Sequence, residues 1–420
     1  MSLPRLLALY WRLRRGTHWS PERLRRHQEE RLRALVAHAA ASVPFYRQRF
    51  VELGLRPGDI RTLEDLRHLP VVTKAELQAA GEEARLSSVF ARDVLEGGRT
   101  SGSSGRPFMI FRDPHFARLR KAAFVRALAA GPYRFGRKVL VISGLPKRQQ
   151  PAWMRWHQVS SEEEPERLLR LIQELRPDIL YGFLTPLRQV AEHAKAVGVA
   201  PHRPLAVYTT AETLDGHSRA LLAATFGPEI HDIYGTTEAG VIGWECAAHA
   251  GYHLAEDTTI VELLEGGAGG AGRLVTTCLE QYAMPLLRYE VGDLALPMDA
   301  GPCPCGCRFS RIARIEGRLV DCVRLPGGRS LSPYHLTLAI EDTPGLERYQ
   351  IIQRSAEGFL VRAQGAGPSA DAAIQAGLRA VLGERARIDV EWCADLEPPP
   401  GRKFRVVECR IGSQEAACVS

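Results

Sequence analysis

Apolar positions recur at helical spacing through the first 80 residues. Ser20-Pro21 reads as an N-cap followed by a proline at the first helical position. Leu32, Leu35, Val36 and Ala39 then return on one face. From about residue 138 the pattern changes to short apolar runs alternating with amphipathic stretches. Strands are predicted over Lys138–Ile142, Ile179–Tyr181, Leu205–Thr210 and Glu229–Tyr234, and helices over Pro186–Val197 and Leu214–Phe226. Ser161 and Glu164 have capping-box spacing ahead of Leu168, Leu169, Ile172 and Leu175, which predicts a further helix. Strands alternating with helices imply right-handed crossovers and a mainly parallel sheet. Ligands of such sheets bind beyond the carboxyl ends of the strands.

After residue 250 the runs shorten. Thr259–Leu264, Arg273–Thr277 and Pro285–Tyr289 read as strands between glycine turns, which predicts a β-rich subdomain packed on the first sheet. From about Gly317, Tyr349–Gln353, Phe359–Ala363 and Arg387–Trp392 alternate with two helices. The expected fold class is α/β, with a large N-terminal domain at 1–316 and a small α+β C-terminal domain at 317–420. The large domain divides into a helical segment (1–85), an α/β core (86–245) and the β-rich subdomain (246–316).

Composition narrows the classes. The chain has 420 residues, 45% hydrophobic and 25% charged, as expected of a globular protein. It has no run of about 18 apolar residues, so no membrane span is expected. Met1 to Gly16 is basic but lacks an unbroken apolar core and a cleavage site, so a signal peptide is not expected and the cytoplasm is the expected compartment. The net charge is +7, yet the arginines are dispersed without an aromatic-interleaved stripe, so no nucleic-acid partner is expected. Lysine is scarce: Lys74, Lys121, Lys138, Lys147, Lys195 and Lys403 are all there are, and only Lys403 falls after residue 195. Nine cysteines without a secretory signal point to metal ligation or reduced thiols rather than disulfides.

Three segments carry candidate chemistry. Arg99-Thr100-Ser101-Gly102-Ser103-Ser104-Gly105-Arg106-Pro107 packs hydroxyls, glycines and a cation ahead of a strand predicted over Phe108–Phe111. Glycines permit close backbone approach to an anion, turn amides form a nest, and Arg106 adds charge-assisted hydrogen bonds. The spacing is not that of a Walker A loop. A flexible turn is the alternative reading. Asp232-Ile233-Tyr234-Gly235-Thr236-Thr237-Glu238 follows a predicted strand. There Tyr234 could stack on a base, Thr237 could donate to phosphate, and Glu238 could hold Mg²⁺. Tyr289-Glu290-Val291-Gly292-Asp293 offers an acidic acceptor for ribose hydroxyls. Turn or capping roles are the alternatives for both.

In order and spacing these segments resemble the adenylate-forming superfamily of acyl-CoA synthetases and adenylation domains. They are most similar to its phenylacetate–CoA ligase-like branch, including the shorter members found with capsular-polysaccharide genes. Val43-Pro44-Phe45-Tyr46-Arg47 and Leu69-Pro70-Val71-Val72-Thr73-Lys74 share in the resemblance, as does the Gly317-Arg318 pair at the hinge between the domains. The resemblance implies attack of a carboxylate on the α-phosphate of ATP, giving acyl-AMP and pyrophosphate. The small domain then rotates, and coenzyme A displaces AMP. An amine or a carrier-protein thiol is the alternative acceptor, and a non-catalytic adenylate-binding protein is the outside alternative. A homodimer is left open.

The resemblance also assigns roles. Ser101, Gly102, Ser103, Ser104, Gly105 and Arg106 would hold the polyphosphate. Ala211 and Glu212, after Thr210, would lie with Asp232 at the adenine, alongside Tyr234, Gly235 and Thr236. Thr237 and Glu238 would act with Mg²⁺, and Asp293 would hold the ribose. Arg318 and Arg329 would reach the nucleotide, and Val320 or Asp321 would be the pivot. Lys403 is the expected catalytic lysine, with Arg402 the alternative occupant of its slot; a compact ammonium suits the reacting phosphate. Cys246, His249, Cys303 and Cys305 would close a structural Zn²⁺ site, with His253 and Cys307 as competing ligands. Tyr133, Phe135, Tyr181, Phe183, Thr236 and Ala239 are candidate walls of an acid pocket, and an aryl or arylacetic acid is implied at family level.

Overall fold

The computed structural model describes residues 3–99, 108–144, 155–265, 270–298, 301–318, 321–326, 330–331, 333–394, 396 and 404–411. The phosphate-loop candidates Ser101 to Arg106, together with Val320, Arg329, Arg402 and Lys403, lie outside these residues.

The helix Pro21–Ser42 starts as its sequence predicts, with Ser20 accepting from the Arg23 amide and Pro21 in the first turn. Its stripe of Leu32, Leu35, Val36 and Ala39 is fully buried. That stripe packs with Val43, Tyr46, Leu69 and Val72 against Leu274, Leu286 and Tyr289. The N-terminal helices are therefore the cover of a sheet face.

Among the described residues, eleven strands form one continuous sheet. Trp156–Ser160, Val139–Ser143, Ile179–Phe183, Ala206–Thr210 and Ile230–Thr236 pair in parallel. The ladder then turns antiparallel through Gly240–Glu245, Tyr252–Leu254, Arg311–Arg318, Tyr289–Pro297, Gly272–Cys278 and Thr259–Leu264. The β-rich strands thus extend the sheet rather than pack on it. The reversal needs only the Thr237–Ala239 turn, because Thr236 pairs with Gly240 directly across it.

Side-chain alternation along the parallel strands fills two cores. Val139, Ile179, Ala206 and Tyr208 face the helix Pro114–Ala129 and the N-terminal helix Leu3–Gly16. Leu140, Ile142, Leu180 and Val207 face the helices Pro165–Leu175, Leu184–Ala196 and Gly216–Phe226. Two local expectations are corrected. The helix at Pro165 has Glu164 at its cap without a side-chain bond, so the Ser161–Glu164 capping box does not form. A proline at the first helical position sets φ and brings no amide to satisfy, so the start is defined without it. The strand expected over Pro285–Tyr289 begins only at Tyr289 and runs to Pro297. Arg288, with φ +47, breaks the extended run before it.

A separate antiparallel pair, Glu96–Arg99 with Met109–Arg112, flanks the phosphate-loop segment. After residue 321, a four-stranded sheet runs in the order Arg387–Trp392, Gly358–Gly365, Leu346–Gln353 and Val407–Cys409. Its core is distinct and includes Ile351, Val361, Ile374, Leu378 and Ile388. The helices Pro333–Ile340 and Asp371–Leu382 pack closely there, since a Cβ on Gly377 would meet the Ala339 carbonyl at 2.2 Å.

One buried ion pair joins distant parts of the larger core. Arg126 and Asp257 are each 3% exposed, with Nη1 at 2.7 Å from both carboxylate oxygens. The same guanidinium lies 4.6 Å from the Trp244 ring centroid. Truncating Asp257→Ala strands this buried cation, so the variant is expected to lose roughly 3–5 kcal/mol, read as a lowered thermal unfolding midpoint.

Candidate active site

The candidate motifs gather where the parallel half of the sheet gives way to the antiparallel half. Ala206–Thr210 and Ile230–Thr236 deliver Ala211, Glu212, Thr237 and Glu238 beyond their carboxyl ends. Tyr289–Pro297 brings Asp293 to the same region. Two tyrosine–carboxylate bonds join the segments across the sheet. The Tyr234 hydroxyl donates to Asp293 Oδ2 at 2.7 Å, and the Tyr289 hydroxyl donates to Glu238 Oε1 at 3.2 Å. Residues 59 and 51 positions apart in sequence are thereby held to one geometry.

Other bonds set the backbone. Ala211 has φ +72, a left-handed conformation costly for a residue with a side chain, and Glu212 beside it accepts from the Thr185 amide and hydroxyl. Thr236 Oγ1 accepts the Ala239 amide at 3.0 Å, closing the turn. Arg112 and Arg120 both donate to the Thr237 carbonyl, at 2.6 and 2.7 Å, and Arg120 also reaches the Glu238 carbonyl at 3.3 Å. Gly98 leaves room for Arg112, since a Cβ there would come within 2.5 Å of its guanidinium. The hairpin that flanks the phosphate-loop segment is thus bonded directly to the Thr237–Glu238 turn.

Asp232 has a different setting. Its carboxylate accepts from Thr209 Oγ1 at 2.6 Å and from the Tyr252 hydroxyl at 2.9 Å, while its amide donates to Glu245 Oε2 at 2.9 Å. It is 5% exposed. Its carboxylate therefore serves the sheet beneath the site. Burial, reinforced by the Glu245 carboxylate, pushes its pKa up to about 7 against the hydrogen bond from Thr209.

The N-terminal segments act as buttresses. The Tyr46 hydroxyl donates to the Pro285 carbonyl and accepts the Leu287 amide, both at 3.1 Å. Val72 exchanges backbone bonds with Arg288 and Glu290, and Arg288 Nη1 donates to the Leu69 carbonyl. Both segments thus support the approach to Tyr289.

Not every candidate lies here. Tyr133 and Phe135 precede the strand Val139–Ser143 and therefore sit at the amino ends of the parallel strands. They pack against Trp156 and Tyr10 there, so they do not line a pocket at the motif loops. Tyr181 lies within its strand against Phe124, Phe183 closes that strand's carboxyl end, and Ala239 is buried in the turn. Arg318 ends the strand paired with Asp293. Asp321 is 7% exposed and accepts from Arg405 Nη1 at 3.0 Å.

The cysteine ligand set needs one correction. Cys246, Cys303 and Cys305 cluster with His253, all four donor atoms lying within 4.8 Å of one another. His249 falls instead with Glu229 and His231. The Cys246–Cys303 sulfurs are 3.6 Å apart, and Cys305 Sγ is 3.3 Å from His253 Nε2. A tetrahedral Zn²⁺ with thiolate ligands needs sulfur separations of about 3.8 Å, so the donor set fits. His253 Nδ1 lies 3.2 Å from the Phe309 carbonyl, which orients Nε2 toward the sulfurs. The strand Tyr252–Leu254 delivers His253 inward, whereas His249 is carried off by the turn after Cys246. Cys307 contributes only its amide, donated to Cys305 Sγ.

Sequence inspection passed over Arg112, Arg120, Thr185, Tyr252 and Glu245. Arginine is abundant in this chain and none of the five falls in a motif, so no local signal marked them.

Solved structures share this architecture. A 2-hydroxyisobutyryl-CoA ligase in the postadenylation state, in complex with 2-HIB-AMP, superposes with a TM-score of 0.79 at 20% identity, covering 94% of this chain and 92% of that one. An anthranilate CoA ligase in complex with anthranoyl-AMP gives a TM-score of 0.56 at 12% identity, covering 81% and 74%. The fold is that of the adenylate-forming acyl-CoA ligases. No protein-family model matches the chain. A phenylacetate–coenzyme A ligase of Thermus thermophilus is 30% identical over 363 residues, covering 82% of this chain and 81% of that protein. A second, from Pseudomonas putida, is 28% identical over 330 residues, 73% of each. The chain belongs to the phenylacetate–coenzyme A ligase family.

The raised pKa of Asp232 gives a signed prediction. The folded chain holds this proton up to about pH 7, while an unfolded aspartate releases it near the ordinary value of 3.8. Its stabilising effect is thus complete below about pH 4 and is lost as pH rises toward 7. Asp232→Asn, which mimics the neutral acid, should remove this slope. Its thermal midpoint relative to the unsubstituted protein should rise between pH 5 and pH 8; a constant difference across that range would count against the assignment.

Proposed function

We propose that the protein activates a carboxylic acid with ATP, forming acyl-AMP and pyrophosphate, and then transfers the acyl group to coenzyme A. The carrying observation is the pair of bonds Tyr234–Asp293 and Tyr289–Glu238, which unite two motif segments at one edge of the sheet in a chain of this family. The relatives' names support an arylacetic acid, with phenylacetate the first to test.

The chemical demand is charge. Two anions must meet, and negative charge then builds on the leaving pyrophosphate. Ser101 to Arg106 hold the polyphosphate, and the bond from Arg112 to the Thr237 carbonyl ties the hairpin on either side of them to the Thr237–Glu238 turn. Thr237 donates to phosphate. Glu238, one oxygen of which is bonded by Tyr289, would hold Mg²⁺, and the ion would neutralise phosphate charge. Asp293 accepts from the ribose. Its bond from Tyr234 fixes that carboxylate, and the tyrosine ring offers a face for the base. Ala211, Glu212 and Gly235 border the adenine, and Tyr181, Phe183 and Ala239 line the acid pocket.

The segment from 317 onward acts as a small lid domain pivoting near Val320 and Asp321. Lys403 enters from it to neutralise the reacting carboxylate and α-phosphate. Arg405, two residues on, is bonded to Asp321. The 2-hydroxyisobutyryl-CoA ligase supports such a motion: its postadenylation state matches this chain with a TM-score of 0.79, and its thioesterification state with 0.64. Cys246, His253, Cys303 and Cys305 would hold a structural Zn²⁺, which would tie the end of Gly240–Glu245 and the strand Tyr252–Leu254 to the loop at 301–310. Dependence on ATP and coenzyme A, with reduced cysteines, is consistent with a cytoplasmic enzyme; no described helix is long and apolar enough to cross a membrane.

Carboxylate-dependent ATP–pyrophosphate exchange tests the first half-reaction. Phenylacetate should support exchange, and coenzyme A should convert the product to a thioester detected by mass spectrometry; no exchange across aryl, fatty and amino acids would refute the proposal. Lys403→Ala and Glu238→Gln should each lower exchange by roughly 10²–10³-fold. Lys403→Ala should leave thioester formation from preformed acyl-AMP intact, whereas an effect confined to Arg402→Ala would move the role by one residue.

Metal analysis of the purified protein should find zinc that Cys305→Ser loses together with several degrees of thermal stability. Equal metal content in that variant would remove the zinc assignment.

A further inference from the structure

At the amino ends of the parallel strands, away from the motif loops, lies a cluster that the proposed reaction does not use. Glu229 precedes the strand Ile230–Thr236, His231 is its second residue, and His249 follows the Cys246 turn. His231 is fully buried, and neither ring nitrogen makes a hydrogen bond. Its ring plane lies within 20° of that of Tyr208 and within 26° of that of His249, at centroid distances of 4.9 and 4.7 Å. Nε2 approaches Glu229 Oε2 at 3.3 Å without hydrogen-bond alignment, and His249 Nε2 lies 3.6 Å from the same oxygen.

A buried imidazole whose ring nitrogens make no aligned hydrogen bond is costly, so its retention calls for a compensating ligand. We infer that Glu229, His231 and His249 form a second divalent-metal site, selective for zinc-like ions over Mg²⁺. Imidazole nitrogens with one carboxylate suit borderline ions, whereas Mg²⁺ prefers oxygen throughout. The two separations to Glu229 Oε2, 3.3 and 3.6 Å, agree with this, since ligand atoms around a tetrahedral ion with bonds near 2.05 Å stand about 3.3 Å apart, and all three donor atoms lie within 4.8 Å of one another.

The surroundings support the assignment. Arg219, the one cation lining the adjoining pocket of about 270 Å³, would repel a metal if its charge were free. It is instead paired with Glu245 at 2.7 Å and donates to the Ile230 carbonyl. His249, at φ +48, is held in place by its amide bond to the Cys246 carbonyl. The same four-residue turn therefore carries a ligand of the cysteine cluster at one end and of this cluster at the other. Three protein ligands leave a coordination position open toward the pocket.

Equilibrium dialysis of the full chain against Zn²⁺ provides the test, with metal counted by mass spectrometry. The His249 and Glu229 side chains are 33% and 45% exposed, so His249→Ala and Glu229→Gln should fold normally. Each should bind one zinc fewer per chain than the unsubstituted protein at low Zn²⁺, with affinity at this site down at least about tenfold. Cys305→Ser should retain this zinc, and Zn²⁺ should raise its thermal midpoint. Cys305→Ser combined with His249→Ala should show no such rise. Unchanged stoichiometry in both His249→Ala and Glu229→Gln would overturn the site, whatever the cysteine cluster binds.

Discussion

The strand Ile230–Thr236 is bonded in parallel along one edge and antiparallel along the other, and the candidate site depends on that double allegiance. Its parallel edge aligns it with Ala206–Thr210, so both strands release their following loops on the same side. Its antiparallel edge requires an immediate reversal, and the reversal is the Thr237–Ala239 turn itself. Glu245 secures the seam by accepting the Asp232 amide with one oxygen and the Arg219 guanidinium with the other. A turn pinned this way can keep its carbonyls pointed at Arg112 and Arg120 and its Glu238 side chain at Tyr289.

Polar bonds at low exposure do much of the positioning. Asp232 is held by Thr209 and Tyr252, Glu212 by Thr185, and Tyr46 bridges Pro285 and Leu287. Each bond involves groups that would be expensive to leave unpaired in the interior, so each narrows the allowed geometry more than it stabilises the fold. The N-terminal helices belong to the same scheme. Their apolar stripe covers the antiparallel half of the sheet, and the segment after them braces the Tyr289 strand through Val72. The N-terminal region is therefore part of the wall behind the candidate site.

Much of this architecture is legible in the chain. Thr259–Leu264 and Arg387–Trp392 form as expected, and four of the five parallel strands lie within two residues of their expected limits, whereas Trp156–Ser160 is a strand that the sequence reading does not expect. Errors arise where local signals compete. Pro285–Tyr289 is apolar enough for a strand, yet its residues are buried by the N-terminal helices with Arg288 in a left-handed turn. His249 has attractive spacing from Cys246, but the turn directs it away and the next strand presents His253. Tyr133 and Phe135 are aromatic residues near a strand, but at the end opposite the motifs.

The sequence by itself determined the alternation of strands and helices, the order of the motif segments and the choice of candidate side chains. Those properties are local, set by side-chain periodicity and by residue types that suit phosphate, ribose and metal chemistry. Only the tertiary structure decided that the antiparallel strands continue the parallel sheet, that Tyr234 meets Asp293 and Tyr289 meets Glu238, and that His253 rather than His249 joins the cysteines. These outcomes depend on strand register and on which end of the sheet a loop leaves. Register is fixed by burial of residues far apart in the chain, and no local window of sequence contains it.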